Sequence, residues 1–310
     1  MFGVFFLNIL FDYFRATFKE LQAPDLIEYL GLQNLNWIEG RPRDGWSQHD
    51  YFNGIHLYSG GRDDIGIELS GVGCRTVESL NDLAFDWMSL FCWVREQGDA
   101  ANVSRLDIAG DDKDGILMFD TLVKYTRAGK YISKARKRHW TDGDERIIMF
   151  GSSASATRLR IYDKALERGV EGHWMRCEFQ LRDEAADSFI ANYIQNGDIG
   201  ETYGGVLLNY LRYTTKAPDP EVSHNYDSLK TTKWWSEFVG TSRKIKNVTV
   251  GGLEYNCDSL FNYISKQCAS SIRAYVQLFG SAGLLEIAYQ TPYSAKQKQL
   301  LGSLGVAFDA

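Results

Sequence analysis

With 310 residues, 44% of them hydrophobic and eight of them Trp, the chain has ample material for a packed core and is not an extended disordered protein. Its net charge of −6 argues against a uniformly basic surface, so any contact with a polyanion has to come from a local cluster. Five cysteines (Cys74, Cys92, Cys177, Cys257 and Cys268) without a C-x-x-C pair exclude a zinc ribbon or a disulfide scaffold and fit a reducing cytoplasm.

Residues 1–14 are rich in Phe, Leu and Ile, but they lack a basic start and a cleavage site, and Asp12 and Arg15 cut the run short of a membrane span. Two readings remain: an amphipathic helix packed on the body, or a start outside the domain. Residues 1–44 are accordingly taken as an N-terminal extension. Residues 51–59 and 65–70 read as a hairpin turned by Gly60-Gly61-Arg62-Asp63-Asp64. Thr76 is the expected cap of a helix to about Glu96, with Leu80, Leu83, Trp87, Leu90, Phe91 and Val94 at helical spacing. A strand at 103–111, a helix at 117–128 and a second hairpin at 146–150 and 158–164 follow. Then come a strand at 173–182, a helix at 184–196 ended by Gly197, and a helix at 203–213. Pro218 and Pro220 mark a linker at 214–227. Residues 228–310, with Trp234-Trp235, a long helix at 258–279 and a last helix after Pro292, read as a smaller, mainly helical C-terminal domain. The order of elements predicts an α+β fold with a central antiparallel sheet, a ferredoxin-like or RRM-like palm.

In residues 158–164, period-two alternation lines up Arg158, Arg160, Tyr162 and Lys164 on one face while Leu159 and Ile161 turn to a core. Residues 65–69, 105–111 and 175–181 repeat the design with acids. If the four strands share a sheet, its open face carries Glu68, Asp107, Asp111, Glu178, Arg105, Arg158, Arg160, Arg176 and Tyr162. Solvated sheet faces normally mix Thr, Ser, Lys and Gln; this one is dominated by Arg, Asp and Glu. From residue 121 to 141 there is no acid, while Lys124, Arg127, Lys130, Lys134, Arg136, Lys137, Arg138 and His139 accumulate around Tyr125, Tyr131 and Trp140. Such a run suits a groove that holds phosphates and stacks bases, with a plain solvated loop as the alternative. There is no P-loop and no G-x-S-x-G elbow, and Gly110 stands where an EF-hand around Asp112-Lys113-Asp114-Gly115 needs its first acidic ligand. The five His are isolated, so any metal must be held by carboxylates, which points to Mg²⁺ or Mn²⁺.

Four blocks in order resemble the Rep-trans family of rolling-circle replication initiation factors, found in plasmids, filamentous phages and some conjugative-element relaxases. They are Gly66-Ile67-Glu68-Leu69, Ser104-Arg105-Leu106-Asp107-Ile108-Ala109, Phe150-Gly151-Ser152 continuing to Arg158-Leu159-Arg160-Ile161-Tyr162-Asp163-Lys164 with Glu167, and Trp174-Met175-Arg176-Cys177-Glu178-Phe179. The resemblance implies a catalytic nicking domain over residues 45–213 with Tyr162 as nucleophile. It implies a divalent cation, Mg²⁺ or Mn²⁺, on Glu68, Asp107 and Glu178, with Asp111 a further candidate. Arg158, Arg160, Arg176 and Lys164 are expected around the reacting phosphate, and Lys130, Lys134, Arg136, Lys137 and Arg138 along the DNA. The implied partners are origin DNA, single-stranded or extruded at the nick, a host helicase and polymerase, and a second copy of the chain; no membrane is involved. A conjugative relaxase of the same chemistry, a metal-free tyrosine recombinase and a non-catalytic origin-binding protein are the competing readings.

Overall fold

The structure, a computed structural model, describes residues 8–80, 85–219, 226–240 and 269–290, with Ile264 and Leu301 as single positions. In chain order its strands are β1 (Asn8–Lys19), β2 (Ile38–Glu39), β3 (Gln48–Phe52), β4 (Ile55–Ser59), β5 (Asp64–Leu69), β6 (Ala101–Asp112), β7 (Tyr131–Ser133), β8 (Arg138–Asp142), β9 (Arg146–Phe150), β10 (Thr157–Asp163), β11 (Met175–Arg182) and β12 (Leu211–Tyr213). Its helices are α1 (Ala23–Tyr29), α2 (Gly71–Leu80), α3 (Trp87–Glu96), α4 (Phe119–Arg127), α5 (Lys164–Arg168), α6 (Glu184–Asn196), α7 (Ile199–Tyr210), α8 (Lys233–Val239) and α9 (Ala269–Gln290).

Ten strands form one antiparallel sheet in the order β2-β3-β4-β5-β1-β6-β11-β10-β9-β8. Strands β7 and β12 make a second, two-stranded sheet. One face of the large sheet buries Phe14, Ala16, Phe18, Leu106, Ile108, Leu159, Ile161 and Phe179 beneath α2, α3, α6 and α7. Aromatic edges lock the layers: Phe91 of α3 meets Phe11 at 5.1 Å, and Tyr210 of α7 meets Phe179 at 5.5 Å. Cross-strand partners share a face, so the register Tyr13↔Asp107↔Gln180↔Arg158, Arg15↔Glu68↔His56 and Asp111↔Arg176↔Tyr162 puts the polar residues together on the opposite face. This is the α+β architecture with an antiparallel sheet that the element order predicts.

Several expectations need correction. Residues 8–19 are neither a helix nor an extension: β1 lies between β5 and β6 in the middle of the sheet. From Tyr13 to Phe18 the residues alternate half-buried and buried, the signature of a strand packed on one side. The helix expected at 76–96 is two helices. Thr76 lies inside α2, donating to the Val72 carbonyl at 2.8 Å, and Asp86 caps α3 by accepting from the Ser89 N–H at 2.8 Å. Leu211–Tyr213 leave the helix expected at 203–213 and pair with β7 as β12.

The unit boundary also moves. The chain divides into Met1–Val250 and Gly251–Ala310, so the proposed linker at 214–227 does not separate domains. Thr214 bridges Thr231, and Trp235 of α8 is fully buried against Tyr213 at 5.1 Å. In the second unit α9 leaves helical geometry at Gly280, φ 81°, a conformation that glycine tolerates for want of a Cβ. The expected helix after Pro292 falls outside the described residues except at Leu301. Among the described residues no helix is long and apolar enough to cross a membrane.

Candidate active site

Tyr162 stands near the end of β10, where Asp163 caps α5 by accepting from the Leu166 N–H at 2.9 Å. That cap ends the strand and turns Lys164 into the first helical residue rather than the last of the strand. Lys164 still reaches Tyr162, donating from Nζ to Oη at 3.5 Å, and pairs with Glu167. The Tyr162 hydroxyl donates to Oε2 of Glu178 at 2.8 Å, while Arg160 binds the other oxygen of the same carboxylate. Burial first, and the Glu178 charge second, push the phenol well above its ordinary pKa. Beside it opens a cleft of about 340 Å³ lined by Asp144, Glu145, Arg146, Ile147, Arg160, Tyr162, Asp163, Leu166 and Glu167.

The four candidate metal ligands share the open face but do not converge. Each is committed to a guanidinium: Glu68 to Arg43, Asp107 to Arg105, Glu178 to Arg160, and Asp111 to Arg176 at 2.7 Å. Strand β1 separates Glu68 from Asp107. Among the described residues no three His, Cys, Asp or Glu side chains are grouped as a metal site. Asp107 and Glu178 remain as diagonal neighbours on β6 and β11, a spacing of roughly 7–8 Å between Cα atoms. Burial pushes the Asp107 carboxyl up to about 6, Arg105 opposes the rise and Glu178 adds to it. Two buried acids so placed fit a hard cation of the kind that takes one or two carboxylates and completes its shell with water and substrate phosphate.

The cations expected around the phosphate divide. Arg160 and Lys164 flank Tyr162. Arg176 is its cross-strand neighbour but is engaged by Asp111 and by Asp12 at 2.9 Å, so it braces the sheet rather than reaching out as a free clamp. Arg158 lies four residues back along β10, opposite Gln180, away from the phenol. In the basic segment Lys134, Arg136, Lys137 and Arg138 are exposed on and before β8, the outer strand two places from β10. Lys130 lies 5.6 Å over Tyr125 and Arg138 5.7 Å over Tyr131. Tyr125, Tyr131 and Trp140 pack against the core, so they are not the free base-stacking platforms expected of them.

Other members of the face were not anticipated. Tyr13 and Arg15 lie in the segment read as an extension, although the alternation from Tyr13 to Phe18 carries the strand signal. The guanidinium of Arg105 stands 4.1 Å over the Tyr13 ring. His49 and His56, seven residues apart, are not isolated: the β3–β4 hairpin brings Nε2 of one within 3.0 Å of Nδ1 of the other, beside Glu68.

A buried tyrosine held by a carboxylate and a guanidinium on the open face of an antiparallel sheet defines the class: an α+β protein with a phenol poised beside a cleft. The chain belongs to the replication initiation factor family, which it matches over residues 101–283, more than half of its length. It is 25% identical over 317 residues to a Bacillus subtilis (strain 168) protein carrying the name DNA relaxase NicK, across 94% of this chain and 88% of that one. Its fold is similar to the rolling circle replication initiator protein of Geobacillus stearothermophilus, with a TM-score of 0.66 and 26% identity over 78% of this chain and 99% of that one.

Proposed function

We propose that the chain nicks and rejoins DNA as a rolling-circle replication initiator, with Tyr162 as the nucleophile. The observation that carries the reading is the hydrogen bond from the Tyr162 hydroxyl to Glu178, set between Arg160 and Lys164 at the mouth of the cleft. Tyr162 Oη attacks the phosphorus of a phosphodiester in single-stranded or extruded origin DNA. The new Oη–P bond forms as the P–O3′ bond breaks, leaving a 5′-phosphotyrosyl ester and a free 3′-hydroxyl. The phenol proton passes to Glu178, solvent water protonates the departing 3′-oxygen, and the cations Arg160 and Lys164 offset the charge that develops on the phosphoryl oxygens. Because the ester conserves the bond, rejoining is the same displacement reversed and needs no nucleotide hydrolysis.

A Mg²⁺ or Mn²⁺ ion would be held by Asp107 and Glu178 with substrate oxygens, and would supply positive charge to the non-bridging oxygens. The exposed cations Lys134, Arg136, Lys137 and Arg138, with Lys130 behind them, serve as phosphate contacts for the flanking strand. The freed 3′-hydroxyl primes a host polymerase behind a host helicase. The likeness to a named DNA relaxase along most of the chain supports the same chemistry serving strand transfer in conjugation.

The test is incubation of supercoiled origin DNA with protein and Mg²⁺ or Mn²⁺. Tyr162→Phe is expected to bind the DNA yet give neither nick nor covalent adduct; nicking at the wild-type rate by that variant would end the proposal.

A further inference from the structure

The polar face continues past the phenol. Arg158 lies opposite Gln180, and Arg182 follows two residues along β11, opposite Arg105 of β6. Arginines from three adjacent strands therefore share the far end of the face, with Arg160 next in line. Arg105 has Asp107 and Arg160 has Glu178, but Arg158 and Arg182 form no ion pair among the described residues. Among the described residues the Nη2 of Arg158 meets only the Met149 thioether, at 2.7 Å. The Nε–H groups of Arg158, Arg160 and Arg182 are all buried without an acceptor among the described residues.

That arrangement is unfavourable by itself. A buried guanidinium N–H lacking a partner carries its full desolvation cost, and like charges this close repel. Burial, and then the charges of Arg160, Arg105 and Arg182, lower the pKa of Arg158. An anion with several acceptor oxygens relieves both penalties at once, and the planar fork of arginine matches a phosphate in particular. Four residues of strand separate Tyr162 from Arg158, roughly 13 Å, too far for one phosphate to touch both backbone positions.

We propose that Arg158, Arg182 and Arg105 form a second phosphate subsite that takes a phosphodiester of the bound strand other than the one Tyr162 attacks. The proposal rests on the DNA-nicking reading above. The subsite anchors the strand across the sheet, so that two fixed phosphates set which bond lies at the phenol.

The experiment uses the full chain carrying Tyr162→Phe, so that no covalent step enters the measurement. Binding of a single-stranded origin oligonucleotide is compared with and without Arg158→Gln and Arg182→Gln together. The double substitution is expected to weaken binding about tenfold and to reduce the slope of log affinity against log salt by about one. A neutral methylphosphonate placed at successive positions should weaken binding to the parent at one phosphate outside the scissile position and have no effect there on the double variant. Unchanged affinity and slope, or methylphosphonate sensitivity that persists in the double variant, overturns the proposal. Inorganic phosphate separates the sources: if it raises the melting temperature of the parent alone while oligonucleotide binding stays equal, the site serves a free anion and the strand assignment fails. Without DNA, Arg158→Gln should melt no lower than the parent, since repulsion is relieved; a fall would make Arg158 a structural residue and also overturn the proposal. Loss of the nicking reading would appear instead as adduct formation independent of Tyr162, which these binding measurements do not touch.

Discussion

In the nicking reaction proposed above, Tyr162 and Glu178 act as a pair because neither is useful alone. Burial keeps the phenol protonated, so the hydroxyl becomes a nucleophile only as its proton leaves, and Glu178 at 2.8 Å is the acceptor in place. Glu178→Gln keeps a hydrogen-bonding oxygen but cannot take the proton. Its adduct formation with a labelled oligonucleotide, measured in a single turnover, is expected to fall by about 10²–10⁴-fold. Adduct formation at the wild-type rate would remove Glu178 as the acceptor. Asp107 offers a pH-dependent counterpart. Burial raises its folded pKa to about 6, above the ordinary carboxylate value of 3.8, so between those values the folded state holds more protons than the unfolded one. The resulting stability is complete below about pH 4 and is lost as the pH rises through 6. Asp107→Asn should therefore be more stable than the parent at pH 8 by about 1–3 kcal/mol and match it near pH 4, as read from urea unfolding at the two pH values.

Elements were legible where one periodicity ran unbroken. The hairpin around 151–156, the strands carrying Asp107 and Glu178, and the helix ended by Gly197 all follow local signals of alternation, turn and cap. The single strand expected at 51–59, by contrast, is broken at Asn53-Gly54, both at positive φ, so that only β4 forms the hairpin around 60–64 and β3 pairs back on it. Strand β1 escaped because its register shifts between Phe11 and Tyr13, which breaks the alternation just where the apolar start would join it. The division of α2 from α3 escaped for the opposite reason: apolar spacing continues across both, and the Asp86 cap is a single residue against that pattern. Residues 203–213 are apolar nearly throughout, so no period marks where α7 gives way to β12. The exchange of helical bonds for pairing with β7 is a tertiary choice.

For the molecule as a whole, prolines suggested a domain boundary that packing moved. Residues 226–240 belong to the first unit, where Thr215 donates to the Lys230 carbonyl at 2.9 Å and Trp235 fills space beside Tyr213 and Phe238. Trp235→Ala should destabilise that unit by about 3–5 kcal/mol, seen as a lower urea midpoint in the full chain. An unchanged midpoint would return α8 to a separate domain. By itself the sequence determined the α+β class, the alternation that sorts charged from apolar side chains, and the block in which Tyr162 sits, because a strand's two faces are set by local geometry alone. Which acid meets which guanidinium, why Arg158 lies apart from the phenol, and that β1 joins the two halves of the sheet were decided only by strand order and register. Those depend on contacts between residues far apart in the chain, such as Asp12 and Arg176, 164 positions apart, and no local pattern specifies them.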